Sequence, residues 1–197
     1  MKNRNRTSIL LMALTVVSVL SINPAFAHSF NVSLLIPPSK QGQQIQEGFM
    51  LATKEQDSHP DQESDGHLGG LDVYINVIRG QGDVAAAIRK AVKPGESDIL
   101  VAIADDATIS LVKENLDDEK VVVLTPGQSP FSNTDLQAVK AFNSAYESEY
   151  GTKPSSRSAQ GYNAARRIAR AVRVQGGVED RALLISNFKD TEGSFNW

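Results

Sequence analysis

Residues 98–116 read DILVAIADDATISLVKENL, and the way this stretch divides decides the fold. Asp98 to Ala104 is a continuous apolar run, as expected of a parallel strand covered on both faces. Two acids follow, and Asp106 suits the N-cap of a helix running through Leu116, because its side chain can accept from the free N–H groups of the first turn. A buried strand, a short polar turn and a capped helix make one half of a βαβ unit.

The same rhythm extends outward in both directions. Toward the N-terminus, Phe30 to Pro37 predicts a first strand, ended by Pro37-Pro38-Ser39. Gln41 to Glu55 predicts a helix with Ile45, Phe49 and Ala52 at helical spacing. Leu71 to Ile78 predicts a second strand closed by Arg79-Gly80, and Val84 to Val92 a second helix stopped by Pro94-Gly95. Toward the C-terminus, Lys120 to Leu124 is the most β-branched segment and predicts a fourth strand, closed by Thr125-Pro126-Gly127. Two helices then follow with no strand between them. Leu136 to Tyr150 ends at Gly151, and Ala159 to Val174 ends at Gly176-Gly177, where glycine is the usual residue beyond a helix. Arg181 to Phe188 is compatible with a strand or a helix. The acids Glu179 and Asp180 favour a helix, whose first turn they suit. The expectation is an α/β fold with a doubly wound, mainly parallel sheet.

The chain begins with Lys2, Arg4 and Arg6, an apolar run from Ile9 to Leu20, a break at Ser21-Ile22-Asn23-Pro24, and Ala25-Phe26-Ala27 before His28. This is the pattern of a secretory signal peptide over residues 1–27, cut after Ala27. The apolar run is shorter than the roughly 20 residues a membrane span needs, so no stable membrane insertion is expected after cleavage and the periplasm is the expected location. The chain has no Cys, which excludes both a lipid-anchored signal and a small disulfide-held fold. Three of the 20 Lys and Arg lie in the signal, leaving 17 against 23 Asp and Glu. An acidic domain of this kind gains nothing from neutralising phosphates, so nucleic acid is not an expected partner.

The second half carries the most specific pattern: Phe142, Ala145, Tyr146, Tyr150, Gly151 and Pro154, then Ala159, Gly161, Tyr162, Asn163 and Ala164. This resembles the stretch "F..AY...YG..P....A..GYDA" of type I periplasmic binding proteins, the branched-chain amino-acid receptor group (Leu/Ile/Val-binding-like), with Asn163 where Asp is usual. Gly42 and Gly48 around the first helix, Gly69-Gly70 before the second strand and Thr125-Pro126 after the fourth are similar to the first lobe of those receptors. The resemblance implies a solute-binding component of an ABC-type uptake system for amino acids or related small molecules. Full receptors of the group are about twice as long and grip their ligand between two lobes. The expected organisation is therefore a shortened receptor: residues 28–197 as a single domain, with a 28–126 βαβ core, a 127–133 linker where lobe two would stand, and 134–197 as the returning helices.

In doubly wound sheets, ligands sit beyond the carboxyl ends of the strands, among helix N-termini. Here that edge comprises 38–43, 79–83, 104–108 and 125–128. The candidate ligand residues are Ser39, Ala104, Asp105, Asp106, Thr108 and Thr125, with Tyr162 on the returning helix; Ser129 is a further donor. The resemblance implies hydroxyl residues near the third position as carboxylate holders. Asp105 and Asp106 stand there instead, and would repel a carboxylate.

Three further features complete the reading. His59, Asp61, Glu63, Asp65 and His67 alternate between Asp57 and His67; they could gather a divalent cation, but with no strand or helix to fix them a solvated loop without metal is expected. Arg166, Arg170 and Arg173 share a helical face opposite Tyr162, Ala165, Ile168, Ala169 and Val172, either as a solvated face or as a dock for an acidic partner. No nucleophile elbow, phosphate loop or zinc-protease helix is present, so neither an enzyme nor a cofactor is expected. A small-molecule ligand, a periplasmic or membrane protein partner, and self-association remain open. The alternative function is a protein-interaction module, derived from such a receptor, that no longer binds a small molecule.

Overall fold

A computed structural model describes residues 29–57, 63–93, 95–116, 121–125 and 136–191. The signal segment 1–27 and the linker 127–133 lie outside the described residues. The elements are β1 (Ser29–Ile36), α1 (Lys40–Lys54), β2 (His67–Leu68), β3 (Leu71–Arg79), α2 (Val84–Ala91), β4 (Ile99–Ala102), α3 (Asp106–Asn115), β5 (Val122–Leu124), α4 (Leu136–Tyr150), α5 (Ser156–Gln175) and α6 (Arg181–Asp190). The five strands form one sheet in the order β2-β3-β1-β4-β5. Each pairing is parallel except the short antiparallel one between β2 and β3. The chain has the α/β architecture its sequence predicts, and Arg181–Asp190 is the helix the preceding acids favour, with Asp180 as its N-cap.

β1 is central because its residues alternate between two apolar layers. Phe30, Val32, Leu34 and Ile36 face the larger core with α1, α4, α5 and α6. Leu35 faces a smaller core with Ile88 and Ala91 of α2 and Val112 of α3. Ser33 also points to a buried position, where its hydroxyl meets that of Ser97 at 2.6 Å, so a polar atom inside the sheet is satisfied.

The larger layer is built on close backbone approach. A Cβ on Gly48 would sit 1.8 Å from the Ser158 carbonyl oxygen, and one on Gly161 would sit 1.9 Å from that of Ile45. The two glycines thus lie reciprocally at the α1–α5 crossing, where any side chain would force the helices apart. Gly42 has the same role against the Pro37 carbonyl oxygen, at 1.9 Å. Aromatic residues of α4 and α5 fill the space beside this crossing. Phe142 lies 4.7 Å from the Tyr162 ring and 5.9 Å from the Tyr146 ring, centroid to centroid.

The structure corrects the expected boundaries in three places. β4 stops at Ala102, and the N-cap of α3 is Asp105, whose carboxylate accepts from Thr108 N at 2.8 Å; Asp106 is the first helical residue. α5 begins three residues before Ala159, because Ser155 caps it and forms a reciprocal capping box with Ser158. β2 is an element that hydrophobic patterning misses. Only two residues long, it is held by its surroundings: His67 has one ring nitrogen 3.0 Å from Asp57 and the other 3.1 Å from Asp72. The Thr53 hydroxyl donates to the Asp65 carbonyl at 2.8 Å, and the Asp65 carboxylate accepts from Ile75 N at 2.7 Å, covering the outer edge of β3.

Candidate functional site at the carboxyl edge of the sheet

α1 and α5 run parallel. Gln44, near the start of α1, accepts from the Ser155 hydroxyl at 3.0 Å, while Gln56, beyond its end, accepts from Arg173 at 3.2 Å. The N-termini of α1, α3 and α5 therefore gather at the carboxyl edge of the sheet. Each carries a capping side chain: Ser39, Asp105 and Ser155. Between them lies a cleft of about 430 Å³, a size in the range of small-molecule sites.

The apolar floor of the cleft comes from Pro37, Ile45, Ala102, Ile103 and Ile109, and its polar rim from Gln41, Asp105, Asp106, Thr125, Arg157 and Gln160. Of the residues the sequence nominated, Ala104, Asp105, Asp106 and Thr125 line it. The Asp105 carboxylate is engaged by its cap: the Thr108 backbone N–H, and then the Thr108 hydroxyl, hold it below the usual carboxylate range. Asp106, next along, is exposed at the cleft and is the carboxylate free to turn toward a ligand.

Ser39 and Thr108 serve the caps at this edge. Ser39 accepts from Gly42 N at 3.5 Å, and Thr108 supplies the N–H for Asp105. Tyr162 is not brought to the cleft. It is buried between α1 and α5, its hydroxyl donates to Glu55 at the far end of α1, and burial followed by that acceptor raises its pKa to about 12. The physical reason is packing: its ring lies against Phe142 of α4 inside the larger core, 4.7 Å between centroids. Ser129 lies outside the described residues, as do His59 and Asp61. Among the described residues, no group of three potential metal ligands comes together.

Sequence reading missed Arg157 and Gln160. Starting the helix at Ala159 left Arg157 in a loop, whereas the cap at Ser155 sets Arg157 on the first turn of α5 and Gln160 one turn further on, both facing the cleft. The Arg157 guanidinium donates to the Gln160 side-chain oxygen at 3.0 Å, so two polar groups on consecutive turns are oriented together. The signal was available as Ser155-x-x-Ser158, a capping pattern with Ser in place of the usual Glu or Gln. Arg157 changes the electrostatics of the edge, which now offers a cation as well as the Asp106 anion.

No protein-family model matches the chain, and no curated protein matches it. Solved structures do. The leucine-binding protein LivK of Thermotoga maritima superposes with a TM-score of 0.62 at 11% identity, over 82% of this chain and 87% of that one. A solute-binding protein of an ABC transporter from R. palustris, solved with benzoate, gives 0.58 at 12% identity, over 81% and 85%. Among the described residues no helix is long and apolar enough to cross a membrane. Sheet order, layers and these two likenesses agree that the chain has the fold of a single lobe of a type I periplasmic binding protein.

Proposed function

We propose that this chain is a periplasmic solute-binding protein, non-catalytic, that recognises a small polar molecule at the carboxyl edge of its sheet as the recognition or accessory component of an ABC-type uptake system for amino acids or related small molecules. The observation that carries this reading is the cleft itself. Three capped helix N-termini converge on an apolar floor rimmed by Arg157, Gln160, Gln41, Thr125 and Asp106. Helix N-termini and a guanidinium favour an anionic group, and Asp106 favours a cationic one, so a molecule bearing both signs suits the rim. The benzoate and leucine of the two similar proteins both carry a carboxylate. Each molecule in this account is gripped from one side, and closure comes from a partner or a second copy standing where the 127–133 linker replaces a second lobe.

Thermal unfolding of the purified chain tests the reading against a panel of amino acids, amines and carboxylates, because a ligand that prefers the native state raises the midpoint. At one hundred times its Kd, a ligand adds about 2.7 kcal/mol. A saturable rise lost in Arg157→Gln supports the proposal. No rise with any compound favours the second reading, a protein-interaction module. That reading draws on a different observation: Leu183 and Ile185 of α6 stay exposed beside edge strand β5, at 44% and 42%.

A further inference from the structure

The far end of the α1–α5 pair holds a second depression, of about 500 Å³, that the solute cleft does not use. It is lined by Glu55 and Gln56 just beyond α1 and by Arg166, Ala169, Arg170, Arg173 and Val174 of α5. Residues four and three apart place the three guanidinium stems on one face, about 6 and 4.5 Å apart along the helix axis. The floor between them is Ala169, 5% exposed, and Val174 stands at the rim, 65% exposed.

Two of the arginines contact uncharged groups. The Arg166 guanidinium lies 5.7 Å from the Tyr162 ring centroid and donates to the Tyr162 hydroxyl at 3.3 Å. Arg173 donates to the Gln56 side-chain oxygen at 3.2 Å. Arg170 makes no hydrogen bond or ion pair among the described residues. The one acid in the lining, Glu55, accepts the Tyr162 hydroxyl. Compensation of the helix dipole accounts for Arg173, in the last turn of α5, but not for Arg166 and Arg170 further upstream. A concave wall with several guanidinium groups focuses positive potential, and their planar forks match phosphate and carboxylate oxygens.

We propose that this groove is a second binding site, taking a small multivalent anion whose phosphate or carboxylate groups bridge Arg170 and Arg173, with Arg166 beneath them. It is separate from the solute cleft and does not depend on it. The test is calorimetric titration of the full chain with tripolyphosphate and with citrate, at low and at moderate salt. Arg170→Gln/Arg173→Gln is compared with Arg89→Gln/Lys90→Gln, which removes the same charge from α2. The expected result is saturable one-to-one binding of at least one anion that weakens with salt, falls tenfold or more in the α5 variant and changes less than twofold in the α2 variant. All four side chains are exposed, and unchanged melting of both variants checks that the fold is kept. Absence of saturable binding, equal losses in the two variants, or binding untouched by the α5 substitutions would overturn the proposal.

Discussion

The two faces of the sheet are covered by different means. On one side, α2 and α3 rest on the sheet through aliphatic side chains: Ile88, Ala91 and Val112 meet Leu35, Leu100 and Ala102. Among the described residues, no glycine stands at these contacts. On the other side, α1 and α5 touch backbone to backbone at Gly48 and Gly161, and α4 is tied on by tyrosines. The Tyr146 hydroxyl donates to the Glu47 carboxylate, and that of Tyr150 to the Glu47 carbonyl at 2.9 Å. The difference shows what the sequence motif encodes. Gly48, Phe142, Tyr146, Tyr150, Gly161 and Tyr162 all belong to the glycine-and-tyrosine face, so the pattern that resembles periplasmic receptors specifies how helices return to the sheet.

The largest expected effect breaks that face directly. Gly161→Val sets a branched side chain against the Ile45 carbonyl in a seam that cannot open without losing the core around Phe49 and Tyr162. The expected outcome is loss of cooperative unfolding by circular dichroism, and a wild-type melt would dismiss the close-approach account. Gly70→Ala is the contrast: no atom lies within 4 Å of its Cβ, and its φ of 94° adds only local strain.

On the aliphatic face, Ile88→Ala should destabilise by about 2 to 4 kcal/mol in urea unfolding, the usual range for a deleted core side chain. The protein should still fold, because this layer relaxes around a cavity in a way a backbone crossing cannot. A loss as complete as that of Gly161→Val would erase the distinction between the faces.

The tyrosines sharpen the comparison through pH. Burial first, and then the Glu47 and Glu55 carboxylates, raise the pKa of Tyr146 and of Tyr162 from 10 to about 12. Burial first, and then the charges of Glu149 and Glu47, raises that of Tyr150 as well. A raised pKa means that the folded state holds the proton more tightly. The contribution of Tyr146 and Tyr162 is complete below pH 10 and is lost as pH rises through about 12. Tyr146→Phe/Tyr162→Phe should therefore flatten the fall in stability over that window, measured by urea midpoints. An unchanged slope would remove the tyrosine–carboxylate pairs from the account.

The smallest effect concerns the cap that aims the cleft. Ser155→Ala should cost about 1 kcal/mol and loosen the first turn that carries Arg157. A variant as stable as wild type would show that the capping box does not set this helix start.

Much of the fold was legible because the signals were long. β1 and β3 are apolar runs with proline or glycine punctuation, and Leu136–Tyr150 is bounded as its sequence predicts. β2 was not legible, since two residues show no period and are held by Asp57, Asp72 and a turn anchored on Thr53. The cleft was half legible. Topology alone located Ala104, Asp105, Asp106 and Thr125 at the carboxyl edge, where the cleft lies. Arg157 and Gln160 come from a helix some fifty residues later in the chain, and only the α1–α5 crossing brings them there. Tyr162 was misplaced for the matching reason: beside a motif glycine, an aromatic residue reads equally well as ligand wall or as core.

The central claim is that the carboxyl edge is a working solute site in which Arg157 and Asp106 take opposite ends of a polar molecule. Backbone amide chemical shifts, followed by NMR while leucine, benzoate and a set of amines are titrated in turn, test it most directly. The account predicts saturable shifts confined to Gln41, Ala104, Asp106, Thr125, Arg157 and Gln160 for at least one compound. Shifts that never saturate, or that centre on α6 and β5 instead, would contradict it.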